Sequence, residues 1–443
     1  MNISFVGLGK LGLCSATCFA AKGNKVICID HNEEFLRQLM KGECPIDETD
    51  LPQMLATARQ NMSFTHDHSV AVQKSDVTLI IVPTPSKSDG SFTNEYVSEV
   101  LKQLAPALRE KKGFHIVNVV STVMPTSCET IFRPLLEHLT GKTCGVDFGL
   151  VYNPEFIALG SVIRNFLNPD MVLIGASDKR SATTIRDLYA SLVDSSPTYA
   201  IMSLTNAELT KLSLNCFVTM KISFANELAA VCERVPGVDV DVITEAIGAD
   251  SRVGAKYLKG GLGFGGPCFP RDNLAFQCFA ESCGWATRLS PKVVSVNRSV
   301  VERLEKTVVE KVHPTATIAL LGLSYKAGTH IVEESQPLML AERLTARGFR
   351  IRLHDPKALP TVASTFGEKA ELCDNPYTAM AGADCILLLT DWPQFHLLDW
   401  DRIERDAGNT PVLIDCWRIL KHRHFSRFEY AAIGLGLKPN NRE

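Results

Sequence analysis

The chain is predicted to be an α/β protein. It is expected to hold two Rossmann-like, doubly wound parallel-sheet domains joined by a central helical region with one long helix. Three observations carry this expectation. The first thirty residues run strand, glycine turn, helix, glycine, strand. Further strand-like runs then alternate with helical stretches. After Pro314 a second strand-and-turn series begins, with a long, mostly apolar helical stretch lying between the two series. The expected domains are residues 1–200, 201–310 and 311–443.

The first element is "NISFVGLGKLGLCSATCFAAKGNKVICID". Its turn is Gly7-x-Gly9-x-x-Gly12, and Asp30 closes the second strand 18 residues after Gly12. This is the dinucleotide fingerprint in its proper context. The first glycine permits the tight turn, and the second lets backbone approach a pyrophosphate. The third lets helix and strand pack, while the helix N-terminus favours the anion. Lys10 and Leu11 open that helix. Asp30 would accept a hydrogen bond from the ribose 2′-hydroxyl and repel a 2′-phosphate, so NAD is expected over NADP.

Strand-like runs follow at Val77–Val82, His115–Val120, Gly149–Tyr152 and Met171–Gly175. Pro83-Thr84-Pro85 and Ser121-Thr122 come directly after strand ends, where loops of such a sheet meet ligand. From about Thr205 to Arg234 the pattern is helical and long, fitting a buried spine or a dimer contact. On this stretch Glu208, Lys211 and Asn215 share one helix face. Lys211 sits among apolar neighbours, which suits proton transfer or oxyanion stabilisation. Asn215 could orient a water or a hydroxyl. A charged helix edge with an ion pair accounts for the same pattern. After Pro314, "TIALLGLSYKAG", "RIRLHDP", "ADCILLLTDW" and "PVLIDCW" read as strands of a second, degenerate nucleotide-binding unit that lacks the third glycine.

Composition narrows the function classes. The 443 residues carry a net charge of −3, so no basic footprint invites nucleic acid or an anionic membrane. Lys421-His422-Arg423 reads as solvated surface. No run reaches the roughly 18 apolar residues of a membrane span. The apolar stretch from Ile3 to Ala21 lacks the basic flank of a signal peptide. Fourteen cysteines show neither a CxxC pair nor zinc spacing, and Cys14 and Cys18 read as core hydrophobes. No metal site is expected, and a reduced, cytoplasmic setting is preferred.

The segment "GFGGPCFPRD" at 263–272 confines one thiol, Cys268, between glycines and prolines, with Arg271 and Asp272 just beyond. Glycines 263, 265 and 266 would let backbone approach a ligand. A nucleophilic thiol needs exposure and a group that stabilises the thiolate. A structural cysteine in a tight turn is the alternative, and the glycine density and the charged neighbours weigh against it. NAD with a fixed thiol and a lysine points to a particular chemistry. An alcohol loses hydride to give an aldehyde, and the thiolate captures it as a thiohemiacetal. A second oxidation gives a thioester, and water releases the acid.

With these residues assembled, the whole chain resembles the UDP-glucose/GDP-mannose dehydrogenase family of NAD-dependent four-electron oxidoreductases. The matching segments are the GxGxxG, "VPTP" at 82–85, "STV" at 121–123, "NPEF" at 153–156, "KLSLN…KISFANE" at 211–227, "SRVGAKYLKGGLGFGGPCFPRD" at 251–272 and "GLSYKAGT" at 322–329. The resemblance implies that Cys268 is the nucleophile. Lys211, with Asn215 beside it, would stabilise the oxyanion or act as acid–base, and Asp272 would activate the hydrolytic water. Glu155 and Thr122 would serve the catalytic water or the nicotinamide region, and Arg271 the cofactor. Phe156, Tyr257, Lys259, Gly265 and Lys326 fall where the family contacts nucleotide sugar, with Arg252 supplied by a neighbouring subunit. The C-terminal unit would bind the nucleotide, and a homodimer or larger homo-oligomer is expected.

Several positions depart from the family pattern. Leu159 in "PEFIALG" replaces a glutamate, and Glu333 in "IVEES" replaces an arginine that helps bind NAD. Phe35 stands where a basic residue is common, Arg271 replaces a lysine, and "DCW" replaces "DGR", with Arg418 one place later. Pro267 before the cysteine argues for UDP-glucose or GDP-mannose over N-acetylated sugars. Oxidation of UDP-glucose at C6 is expected because it is the family's commonest substrate. Two other readings are a two-electron β-hydroxyacid dehydrogenase, which needs no Cys268, and a non-catalytic sensor, suggested by Leu159 and Glu333.

Overall fold

A computed structural model of the chain describes residues 1–407 and 410–436. The chain divides into two compact units, Met1–Ser213 and Leu214–Glu443.

The first unit is built on eight strands: β1 Asn2–Val6, β2 Lys25–Ile29, β3 Met62–Thr65, β4 Val77–Ile80, β5 His115–Val119, β6 Phe148–Tyr152, β7 Met171–Ala176 and β8 Thr198–Met202. Their order in the sheet is β3-β2-β1-β4-β5-β6-β7-β8. The first six are parallel, which requires helices on both faces. Accordingly β4, β5 and β6 are buried along their whole length. One face packs on Phe5, Phe19 and Phe166, the other on Val6, Phe132 and Phe148. The strand order reverses between β1 and β4, so the loops after these two strands flank the crevice where such sheets bind ligand.

The sheet departs from a purely parallel one at β7, which runs antiparallel to β6 through Val151↔Ala176 and Tyr152↔Gly175. The connection between them contains only the six-residue helix Val162–Leu167. Such a helix spans about 9 Å, too little to return the chain to the far edge of the sheet. The chain therefore re-enters from the edge at which β6 ended. β8 then pairs parallel with β7.

In the second unit β9 Thr317–Leu321, β10 Arg350–His354, β11 Glu371–Leu372, β12 Cys385–Leu388, β13 Val412–Asp415 and β14 Glu429–Ala432 form a parallel sheet. Its order, β11-β10-β9-β12-β13-β14, repeats that of β1–β6. The acid at the end of its second strand serves a different purpose, however. Asp355 is buried and accepts hydrogen bonds from the N–H groups of Leu323, Ser324, Lys357 and Ala358, from Ser324 Oγ and from Trp392 Nε1. Six donors use up the lone pairs of a carboxylate. The second sheet therefore keeps the strand order of a dinucleotide fold but spends its acid on its own loops.

The helix Leu204–Cys232 runs 29 residues through the position where the chain divides. Near its end Ala229 and Cys232 enter the second unit's core with Val240 and Leu262. Phe217, Phe224 and Val231, seven residues apart in turn, are 59%, 52% and 58% exposed. The helix is thus only partly a buried spine, and it carries an apolar stripe facing outward.

Candidate active site

The turn after β1 bears the expected geometry. A side chain at Gly12 would overlap the carbonyl of Gly7, whereas nothing lies within 4 Å of the position a Cβ would take on Gly9. The first position is closed by packing and the second is open for a ligand's close approach. Gly9 is also the N-cap of the helix Lys10–Ala21 and brings no capping side chain, leaving the first turn to an anion. Lys10 and Leu11, both half-buried, begin that turn. Asp30 accepts from Leu8 N at 2.8 Å and Asn32 N at 2.9 Å, and each oxygen retains a lone pair for a ribose hydroxyl. These residues fit NAD. The loops after β4 and β5 are tied together on the same side of the reversal. Thr84 Oγ1 donates to Thr122 O at 2.7 Å, and Ser121 Oγ accepts from Val82 N and donates to Val82 O. Pro83 is exposed beside them.

Also in the first unit, Lys211 Nζ donates to the backbone carbonyl of Glu155 at 2.6 Å and lies 4.4 Å from the centre of the Phe156 ring. The Glu155 side chain accepts from Tyr189 Oη at 2.6 Å. Burial pushes the Glu155 carboxyl up to about 7, against the opposing pull of the Tyr189 hydroxyl and the Lys211 charge. A carboxyl poised there can take or give a proton near neutrality. The segment holding Glu155 and Leu159 is anchored by buried Glu48, which accepts from Gly160 N and Val162 N, both at 3.0 Å. Leu159 packs against the core of this unit, as does Phe35.

Glu208 is not the charged helix edge that its spacing allows. It is fully buried and accepts from Thr126 N at 2.6 Å and Cys128 N at 2.8 Å, holding a loop in which Thr126 has φ +77°. Burial raises it too to about 7.

The second unit holds the thiol. Cys268 is exposed and caps the N-terminus of the helix Phe269–Ser282, with Pro270 in its first turn. A helix N-terminus favours a thiolate, a signal the early proline could have given. Asp272, one turn on, is 1% exposed and sends its N–H to Cys268 O at 2.8 Å. Its Oδ2 accepts from Asn215 Nδ2 at 2.6 Å, and Arg271 Nε lies 3.6 Å from Oδ1. Asn273, which the sequence did not single out, anchors this helix. It is completely buried, donates to Thr219 Oγ1 at 2.9 Å and to Phe269 O at 2.8 Å, and accepts from Ser290 Oγ at 3.0 Å.

The glycines before the thiol are closely packed against the protein itself. A Cβ on Gly265 would overlap Glu334 O, and one on Gly266, at φ +78°, would press on the Tyr325 ring. The loop threads between protein atoms, and the Gly266 N–H donates to Glu333 O at 3.0 Å. Of the other substrate candidates, Tyr257 is half exposed at φ +63° with its ring edge-on to Phe269. Lys259 sits 3.6 Å from Asp391 and 5.7 Å from the Trp417 ring centre. Lys326 is half-buried, 6.0 Å from the Tyr325 ring centre. Arg252 is 86% exposed and pairs with Asp250. Arg418 is buried, bonding Asp241, Gly260 O and Ile433 O, and so fastens the loop before the thiol to the second sheet. Among the described residues no group of three or more His, Cys, Asp or Glu is placed to hold a metal. No described helix is long and apolar enough to cross a membrane.

The dinucleotide fold with its open phosphate turn and ribose-facing acid is that of an NAD-binding protein. Three family models match the chain: the NAD binding domain of the UDP-glucose/GDP-mannose dehydrogenase family over residues 1–193, its central domain over 205–299 and its UDP binding domain over 319–422. The chain is 33% identical to the UDP-glucose 6-dehydrogenase AglM of Haloferax volcanii, covering 97% of this chain and 99% of that protein. It is 34% identical to the UDP-glucose 6-dehydrogenase TuaD of Bacillus subtilis, covering 100% and 95%. The UDP-glucose dehydrogenase structure from Pyrobaculum islandicum superposes with a TM-score of 0.87 at 32% identity over 98% of each chain. The chain belongs to the UDP-glucose/GDP-mannose dehydrogenase family and is an NAD-dependent nucleotide-sugar dehydrogenase.

Proposed function

We propose that the chain oxidises the C6 hydroxyl of UDP-glucose to a carboxylate in two steps, with Cys268 holding the intermediate oxidation state. The observation that carries this reading is the exposed Cys268 at the start of a helix, followed one turn later by buried Asp272 that Asn215 holds. NAD, when bound, supplies the hydride acceptor for both oxidations. The Cys268 thiolate adds to the aldehyde carbon and forms a thiohemiacetal, and Lys211 stabilises the oxyanion. Loss of the second hydride leaves a thioester. Asp272 takes a proton from the attacking water, the C–S bond breaks, and the acid leaves with the thiolate restored. Glu155, poised near neutrality, exchanges the proton of the reacting hydroxyl or water, with Thr122 in the nicotinamide region. Overall, one alcohol and one water give one carboxylate and two reduced cofactors.

Tyr257, Lys259, Gly265, Phe156 and Lys326 are assigned to the nucleotide sugar, and Arg271 to the cofactor. Arg252 is assigned to the site of a second copy, which covers the stripe Phe217, Phe224 and Val231 in a homodimer. UDP-glucose is preferred because the relatives above bear that name. GDP-mannose is the alternative, since the family includes such enzymes. The test is the yield of NADH with limiting UDP-glucose, GDP-mannose, UDP-galactose or UDP-N-acetylglucosamine. Two NADH per UDP-glucose supports the reading. Two NADH from another sugar alone corrects the substrate. One NADH per sugar overturns the four-electron reaction.

A further inference from the structure

We infer that Tyr189 is a positioning residue that holds the Glu155 carboxyl in place and sets the pH at which it exchanges its proton. The inference rests on the role given to Glu155 above and extends it to a residue that no motif marks. Tyr189 lies in the helix Lys179–Ala190, 34 residues beyond Glu155, and is 2% exposed. Its ring is wedged edge-on against Phe19, at 5.6 Å between centres, and against Phe166, at 6.0 Å. Those two rings also contact each other at 5.8 Å. A ring gripped on two sides cannot swing, so its hydroxyl has one direction, and Glu155 Oε1 lies there at 2.6 Å. Lys211 holds the same residue by its backbone carbonyl, at 2.6 Å. Side chain and main chain of Glu155 are thus fixed by separate elements.

The chemical consequence follows from which groups face the carboxyl. From the helix Leu204–Cys232 comes the Lys211 ammonium; from the helix Lys179–Ala190, the Tyr189 hydroxyl; and from the helix Lys10–Ala21, the Cys18 thiol. Burial first, then Glu155, pushes Cys18 up to about 12, so it stays neutral. Burial and Glu155 also drive the Tyr189 phenol far upward, so it remains a donor throughout the working range. A donor that never ionises stabilises the carboxylate and holds its proton affinity down against burial.

Tyr189→Phe keeps the ring packing and deletes only the donor. Two readouts are taken. The first is the pH dependence of kcat with NAD and UDP-glucose. The second is an infrared titration of the carboxyl band in the protein without cofactor, assigned by its loss in Glu155→Gln. In Tyr189→Phe both midpoints move upward by about one pH unit, with KM little changed. Incorporating 3-fluorotyrosine, a stronger donor, moves them downward and serves if Tyr189→Phe does not fold. Midpoints that stay at the wild-type value in the folded variant, or in the fluorotyrosine protein, overturn the inference even while two NADH per sugar are formed. If Glu155→Gln leaves the kcat profile unchanged while the infrared midpoint shifts, the catalytic role of Glu155 fails and the Tyr189 contact survives.

Discussion

Replacing Asn215 by Asp puts the contact with Asp272 under direct strain. The wild-type amide donates to Asp272 Oδ2 at 2.6 Å, and the two residues are 6% and 1% exposed. Asn215→Asp would set two carboxylates at that separation. At an effective dielectric of 20 and about 3 Å, their repulsion is roughly 5 kcal/mol; Arg271, 3.6 Å from Oδ1, offsets part of it and burial of the pair adds to it, leaving about four pKa units. The pair therefore keeps one proton up to about pH 8, whereas in the unfolded chain it leaves near pH 4. The folded state then holds the extra proton between those values. Its stabilising contribution is complete below pH 4 and is lost at about 1.4 kcal/mol per unit as the pH rises toward 8. Between pH 5 and pH 8 the loss is about 4 kcal/mol, which lowers Tm by roughly 10 °C for a unit of this size. The assay is thermal melting of wild type, Asn215→Asp and Asn215→Ala at half-unit steps from pH 5 to pH 9. Tm of Asn215→Asp should fall over this range relative to both other proteins. If its curve runs parallel to that of Asn215→Ala, the two side chains are not in a close, buried contact.

Two further outcomes follow from other parts of the molecule. Gly12→Ala places a methyl against the Gly7 carbonyl, so the phosphate turn must shift, and NAD affinity measured by fluorescence titration should fall at least about tenfold; an unchanged affinity would separate the turn from cofactor binding. Glu208, raised to about 7 by burial, retains a proton that the unfolded chain releases near pH 4.5. Its contribution is present below that value and declines by about 3 kcal/mol as the pH rises through 7. Tm of wild type relative to Glu208→Gln should therefore fall between pH 5 and pH 8, and a constant difference would show that the raised affinity is not real.

The parts of this molecule most legible in sequence are those where local pattern and global fold agree. β1, the Gly7–Gly12 turn and β2 follow from glycine spacing and a closing acid. β4, β5 and β6 follow from short apolar runs, because a strand covered on both faces has no polar alternation to confuse it. The strands missed were of another kind. β3 is short, β11 has two residues, β14 is brief, and β8 is an edge strand with little burial. The reversal at β7 depends on the length of the preceding helix, which boundary errors obscure. In the site, Cys268 was found by its glycines, although these clear Glu334 and Tyr325. Its place on a helix N-terminus was written in Pro270. Glu208 misled because i,i+3 spacing to a lysine looks the same whether the face is solvated or buried against a loop. Asn273, Glu48 and Tyr189 act through contacts 17 to 114 residues distant in sequence, and no local pattern reports such pairs.

The central claim, covalent capture by Cys268, is tested most directly by intact-protein mass spectrometry of Asp272→Asn after mixing with UDP-glucose and NAD. Loss of the water-activating carboxylate should slow hydrolysis more than oxidation. A nucleotide-sugar acyl adduct should then accumulate and map by peptide analysis to Cys268, with two NADH released per adduct. The same adduct should be absent from Asp272→Asn carrying Cys268→Ser. Two NADH per sugar from Cys268→Ser, with no adduct on any protein, would contradict the account.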